Sequence, residues 1–241
     1  MRTSRIASLV AVGAISLSIL ASTASAIAAS PRTSASIGTQ LAMLKGSDTV
    51  ASDYFGGRVA ISGMTAIVGA RDHAKEAGQA YVFTGTATGW KQTAELKGAD
   101  IVAGDQFGAS VAISGTTAVV GAPAYAKNAG RAYVFTETAF GWTQVAELKG
   151  SDTVAGDSFG NSVAISGTTA VVSATALDSG GASLTDRAYV FTGTAGSWTQ
   201  VAELKGSATD QFGASVAISG TTAVVGAPDA KGAGRAYVFA A

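Results

Sequence analysis

Residues 105–122 read DQFGASVAISGTTAVVGA, and this stretch occurs four times in the chain. It appears as DYFGGRVAISGMTAIVGA from Asp53, as DSFGNSVAISGTTAVVSA from Asp157 and as DQFGASVAISGTTAVVGA from Asp210. The starts lie 52, 52 and 53 residues apart. A fixed period of about 50 residues marks a repeat architecture, in which one supersecondary unit stacks on copies of itself. Each copy runs on through a variable loop into AYVF, from Ala80, Ala132, Ala188 and Ala236, and the first three add a Trp-containing segment ending in AELKG.

Within one copy the apolar residues fall in short runs divided by turn residues, a strand pattern rather than a helical one. In the second copy the expected strands are Ser110 to Ser114, Thr117 to Ala122, Arg131 to Thr136 and Trp142 to Leu148. Val, Ile, Thr, Tyr and Phe fill them, as a pleated and half-buried surface favours. Ser114-Gly115-Thr116 separates the first two, and its equivalents begin at Ser62, Ser166 and Ser219. A tight hairpin needs Gly there for its backbone angles. Four antiparallel strands at this period match a propeller blade, and propellers carry about 4 to 8 blades. The expected fold is therefore all-β: a β-propeller of four four-stranded antiparallel blades spanning residues 38–241.

The last copy stops after AYVFAA and lacks the AELKG strand, whereas residues 39–46 read TQLAMLKG and match Thr143 to Gly150 at six of eight positions. The N-terminal strand is thus expected to close the last blade within one chain, with two chains pairing into an eight-bladed ring as the alternative. Gly38 stands where the other copies have Trp90, Trp142 and Trp198.

Upstream, Arg2 and Arg5 precede an uncharged apolar run from Ile6 to Leu20 that gives way to Ala24-Ser25-Ala26. That is the pattern of a secretory signal peptide, expected over residues 1–26, followed by a flexible segment over 27–37. The remaining 215 residues carry 14 Lys and Arg against 16 Asp and Glu. Without a basic cluster there is no electrostatic footprint for nucleic acid or an anionic membrane surface. The chain has no cysteine, so neither disulfides nor thiolate metal sites are possible and apolar burial must hold the fold. The expected location is outside the cell, with no membrane insertion after signal removal.

With F-G, V-A-I-S-G-x-T-A and V-G-A-P in view, the unit resembles the FG-GAP repeat of integrin α-subunit propellers, and more closely a bacterial secreted form of it. Phe107-Gly108 with Gly121-Ala122-Pro123, and Phe212-Gly213 with Gly226-Ala227-Pro228, carry both halves of that pattern. The first copy departs at Gly69-Ala70-Arg71 and the third at Ser173-Ala174-Thr175. Calcium-binding members of that family place an Asp-rich loop before the second strand. Here a neutral Ser-Gly-Thr-Thr or Ser-Gly-Met-Thr occupies that place, so no metal or other cofactor is expected.

Residues repeated in every copy are expected to hold each unit together. Asp53, Asp105, Asp157 and Asp210 read as turn-capping carboxylates, and a second set, Asp48, Asp100 and Asp152, lies five residues upstream. The Tyr and Phe of each AYVF share one face and read as core between units. His73 is the sole histidine and no G-x-S-x-G elbow is present, so His73 is expected in an exposed loop and the chain is not expected to be an enzyme.

Variation concentrates between the second and third strands, in Arg71–Gln79, Pro123–Arg131, Thr175–Arg187 and Pro228–Arg235, which are 9, 9, 13 and 8 residues long. Loops held by a rigid scaffold are where binding usually resides. The candidate binding residues are Arg71, His73, Glu76, Tyr125, Asn128, Leu177, Asp178, Asp186 and Asp229. The expected function is a secreted interaction module for an extracellular protein or glycan, as monomer or dimer. The alternatives are a hydrolase or lyase acting on polysaccharide, or a structural envelope protein.

Overall fold

The computed structural model describes residues 37–175, 186–194, 196–206 and 211–241. The expectations for residues 1–26, and those for Leu177, Asp178 and Asp210, lie outside the described residues. The compact unit is Gln40–Ala241. Its first sheet comprises β1 (Arg58–Ser62), β2 (Thr65–Ala70), β3 (Gln79–Thr86) and β4 (Gly89–Leu96). The second comprises β5 (Ser110–Ser114), β6 (Thr117–Ala122), β7 (Arg131–Thr138) and β8 (Gly141–Leu148). The third comprises β9 (Phe159–Ser166), β10 (Thr169–Ala174), β11 (Arg187–Thr194) and β12 (Ser197–Lys205), and the fourth β13 (Ser215–Ser219), β14 (Thr222–Ala227) and β15 (Arg235–Ala240).

Each sheet is an antiparallel meander in sequence order, with its first hairpin closed by two residues, as at Ser114↔Thr117. Gly115 holds φ at 57° in that hairpin, an angle most side chains resist. Between the third and fourth strands a register shift recurs at Val82/Phe83, Val134/Phe135 and Val190/Phe191. An extra residue in one strand adds twist, and here it falls between the third and outer strands of the first three sheets.

The sheets stack face to face. Ile67, Ala80, Val82 and Leu96 of the first bury against Ile113, Ala118, Val120, Tyr133 and Phe135 of the second. The same set of positions recurs from second to third and from third to fourth sheet. In every copy the Phe of the Phe-Gly pair packs at a steep angle on the Tyr and Phe of the third strand, as Phe107 does at 5.5 Å from Tyr133 and 6.0 Å from Phe135. Such pairs add about 0.5–1.5 kcal/mol beyond the area they bury. The aromatic set is therefore core.

Backbones approach closely where the pattern places glycine. A Cβ on Gly69 would stand 2.1 Å from the carbonyl oxygen of Gly108 in the next sheet. Ser62, Ser114 and Ser166 hydroxyls each accept a hydrogen bond at 3.0 Å from the N–H of Gly115, Gly167 and Gly220, one sheet on.

Among the described residues the last sheet differs from expectation: it has three strands, and Gln40–Gly46 forms no strand beside β15. The segment lies instead at the first sheet, where Leu44 packs by Val68, Ala70, Tyr81 and Phe83. Both outer faces of the stack remain open, with Val59 and Ile61 exposed at one end and Val224 and Val238 at the other. The four sheets are propeller-like blades in an open stack.

Candidate functional site

The loops that lead into β1, β5 and β9 are each built around two carboxylates. Asp53, Asp105 and Asp157 each accept a backbone hydrogen bond at 2.7 Å, from Val50, Val102 and Val154, which closes the turn. Asp48, Asp100 and Asp152 accept the hydroxyls of Tyr81, Tyr133 and Tyr189, each at 2.7 Å. Burial, and after it the Asp100 carboxylate, pushes the Tyr133 hydroxyl far above its ordinary titration range. Burial likewise raises Tyr189 to about 12. At Asp100 burial opposes ionisation, yet hydrogen bonds from Tyr125 and Tyr133 outweigh it and hold the carboxyl below 3.8.

The loops between second and third strands have an unusual backbone. Residues α1 (His73–Glu76) and α2 (Tyr125–Asn128) each form a single helical turn whose middle is left-handed, with Ala74 at φ 52°, ψ 53° and Lys75 at φ 62°, ψ 47°. Ala126 and Lys127 repeat this at φ 49° and 61°. These turns point carbonyls at the next sheet's Asp loop. Glu76 and Ala77 carbonyls accept the N–H groups of Gln106 at 2.8 Å and Phe107 at 2.9 Å. Asn128 and Ala129 do the same for Ser158 at 2.7 Å and Phe159 at 3.1 Å. Glu76 and Asn128 thus belong to clamps between blades, while their side chains are exposed.

His73 departs from the exposed position expected for it. Its side chain is 14% exposed, with Nδ1 at 2.9 Å from Asp53 Oδ2 and Nε2 at 3.5 Å from Asp48 Oδ2. The His73 hydrogen bond, with that of Val50, holds the Asp53 carboxyl below its ordinary value. His73 thus joins the two carboxylates of the first copy's Asp loop, by a hydrogen bond to Asp53 and a longer contact to Asp48.

In the second copy Tyr125 occupies the equivalent position and donates to Asp100 Oδ2 at 2.6 Å. The Arg131 guanidinium lies over its ring at 4.5 Å and pairs with Glu147 at 2.5 Å. In the third copy Arg187 pairs with Asp152 and Glu203. Asp229 accepts a hydrogen bond from Gln211, and Asp186 is half-buried at the start of β11. Among the described residues no group of three or more His, Asp or Glu side chains is arranged to hold a metal ion. Nor is any helix among them long and apolar enough to cross a membrane.

A groove of about 200 Å³ is lined by Tyr54, Gly57, Arg58, Gly69, Arg71, Gly108 and Ala109, where the first two blades meet. The Arg71 guanidinium lies 5.0 Å over the Tyr54 ring and its Nε is 3.3 Å from Asp72 Oδ1. Arg58 donates to the Gly57 carbonyl at 2.9 Å. Tyr54, Arg58 and Arg71 replace Gln106, Ser110 and Pro123 of the second copy. Three departures from the repeat, separated in sequence, converge on one surface. Arg71 was legible as a loop residue. Tyr54 and Arg58 sit inside the repeated stretch, and only a position-by-position comparison of the copies singles them out.

Among solved structures, the chain is similar to a Saccharomyces cerevisiae protein described as "Crystal structure of the Saccharomyces cerevisiae Sqt1". The two share 12% identity with a TM-score of 0.44, over 73% of this chain and 42% of that one. This chain thus spans less than half the length of that protein, and so distant a likeness carries no argument about function. No curated protein matches the chain. The FG-GAP repeat profile matches four times, over residues 39–83, 90–135, 142–191 and 198–239; the last three matches begin one residue into β4, β8 and β12, and all four end in a third strand. By these matches, which together take in most of its length, the chain belongs to the FG-GAP repeat family.

Proposed function

We propose that this chain is a secreted, non-enzymatic interaction module that binds an extracellular protein or glycan at the rim formed by its second-to-third-strand loops. The reading rests on one observation: Tyr54, Arg58 and Arg71, each a departure from the repeat, line a single groove beside that rim. Repeated residues serve the scaffold, because every blade needs them, whereas residues unique to one blade are free of that duty. Two guanidiniums and a tyrosine ring form a contact set of the kind enriched at binding hot spots. Export is supported by the Arg-flanked apolar run of residues 2–20 and the small residues that follow it.

The enzymatic alternative draws no support from His73, which is engaged by Asp48 and Asp53. The test replaces the three groove residues by those of the second copy: Tyr54→Gln, Arg58→Ser and Arg71→Pro. A glycan array and an extracellular pull-down with the unaltered chain identify what binds, and the triple variant should lose that binding while keeping its thermal transition. Undiminished binding by the folded variant overturns the assignment to this groove.

A further inference from the structure

The two outer faces of the stack are the two halves of an interface that the chain forms three times within itself. On the leading face of the first sheet Ile61 is 65% exposed, whereas Ile113 and Ile165, in the same repeat position, are 9% exposed beneath the sheet before them. On the trailing face of the last sheet Val238 is 68% exposed, whereas Val82, Val134 and Val190 are wholly buried.

The polar half-contacts divide in the same way. Ser62, Ser114 and Ser166 each accept from a glycine N–H of the following sheet, and the Ser219 hydroxyl and Gly63 N–H are the remaining members of that series. Gly108 and Gly160 stand close against the carbonyls of Gln79 and Arg131 in the preceding sheet, while the same place beside Gly56 is open.

The strand order adds to the pattern. Among the described residues β15 pairs on one side only, and Gln40–Leu44 repeats the sequence QxAxL of Gln144–Leu148 in β8. That segment is already held where a preceding sheet's fourth strand would end. Ser47 N–H donates to Gln92 Oε1 at 2.9 Å, as Ala99 does to Gln144 and Ser151 to Gln200 at the internal junctions. Leu41 and Met43 remain exposed beside it.

We infer that the occupant of both faces is a second copy of this chain. The trailing face of each copy's last sheet seats on the leading face of the other's first sheet, and Gln40–Leu44 of one copy pairs with β15 of the other as its fourth strand. Both faces are bare at once within one chain, so four blades do not bring them together. Two copies related by a two-fold axis form two such junctions and close an eight-bladed ring, at the upper end of the usual range of about 4 to 8. Closure removes the open sheet edge and buries the exposed Val and Ile residues. This inference is independent of the groove on the first blade.

Light scattering on the chain from Ile27 onward tests it. A mass of two chains is expected; a mass of one chain, or one that grows beyond two with concentration, overturns it. Ile61→Asp and Val238→Asp alter residues already exposed in the single chain, so each variant should stay folded by near-ultraviolet circular dichroism and run as one chain. Retention of the two-chain mass by either folded variant overturns the inference. Mixing the two variants leaves one junction intact, between the unaltered trailing face of the first and the unaltered leading face of the second. The mixture should therefore recover two-chain species at raised concentration. A mixture that remains single-chain overturns the face-to-opposite-face junction.

Discussion

The carbonyl oxygen of Gly160 lies 2.0 Å from the point where a Cβ on Gly121 would stand, so at that point the second and third blades approach backbone to backbone. Side-chain atoms placed there must push two stacked sheets apart. Overpacking of this kind costs about 1–3 kcal/mol. Gly121→Ala should lower the thermal midpoint measured by circular dichroism by several degrees. An unchanged midpoint would mean that the junction yields more easily than its spacing suggests.

Tyr133 and Asp100 form the most enclosed of the hydroxyl–carboxylate pairs, and Tyr125 gives the same carboxylate a second hydrogen bond. A hydrogen bond to a charged group contributes about 1.5–3 kcal/mol, and a buried polar group left without its partner loses more. Tyr133→Phe removes one donor and should destabilise the chain by about that amount in urea unfolding. Asp100→Ala strands two hydroxyls and should cost more. Equal effects from the two variants would show that Tyr125 adds nothing.

Much of this architecture is legible in the sequence because it is local. In the second copy β5 and β6 coincide with the expected Ser110 to Ser114 and Thr117 to Ala122, since Ser-Gly-Thr fixes the hairpin and alternation fixes the faces. Two features are not local. Ala-Lys-Glu at residues 74–76 carries no glycine to announce a left-handed turn, so the inward position of His73 could not be read. The place of Leu44 at the first sheet, instead of beside β15, is a relation between distant blades, which no single loop records.

The carboxylates predict how stability responds to acid. Asp53 and Asp100 titrate below 3.8 in the folded chain, so the stability they add is complete above that value and is lost as pH falls through their lowered values. Unfolding free energies measured between about pH 5 and pH 2 should fall steadily. His73→Tyr removes the hydrogen bond that does most to depress Asp53, and its acid loss should be smaller. An identical acid profile in the variant would separate Asp53 from His73.

At alkaline pH the sign reverses. Tyr189 keeps its proton to about 12 in the fold against 10.0 in the open chain. Its contribution is therefore present below 10.0 and disappears as pH rises through about 12. Tyr189→Phe should flatten this limb of the stability curve in urea titrations at alkaline pH. A slope equal to that of the unaltered chain would assign the alkaline transition to other groups.

Lys127 carries its side chain into solvent at φ 61°, with left-handed neighbours on both sides in Ala126 and Asn128. A left-handed backbone costs an ordinary L-residue about 1–2 kcal/mol, and here the expense is tolerated because the turn aims the carbonyls of Lys127, Asn128 and Ala129 at the third blade's loop. Glycine adopts that angle freely but is more flexible when unfolded, which returns about 0.5–1 kcal/mol of the gain. Lys127→Gly should therefore raise stability slightly. A β-branched residue fits the left-handed region worst, so Lys127→Val should lower it by about 1 kcal/mol or more. The fourth copy already has Gly232 in its corresponding turn, at φ 73°. If both variants unfold at the same denaturant concentration as the parent chain, the turn at residues 125–128 is not held left-handed in solution, and the clamp between second and third blades loses its geometric basis.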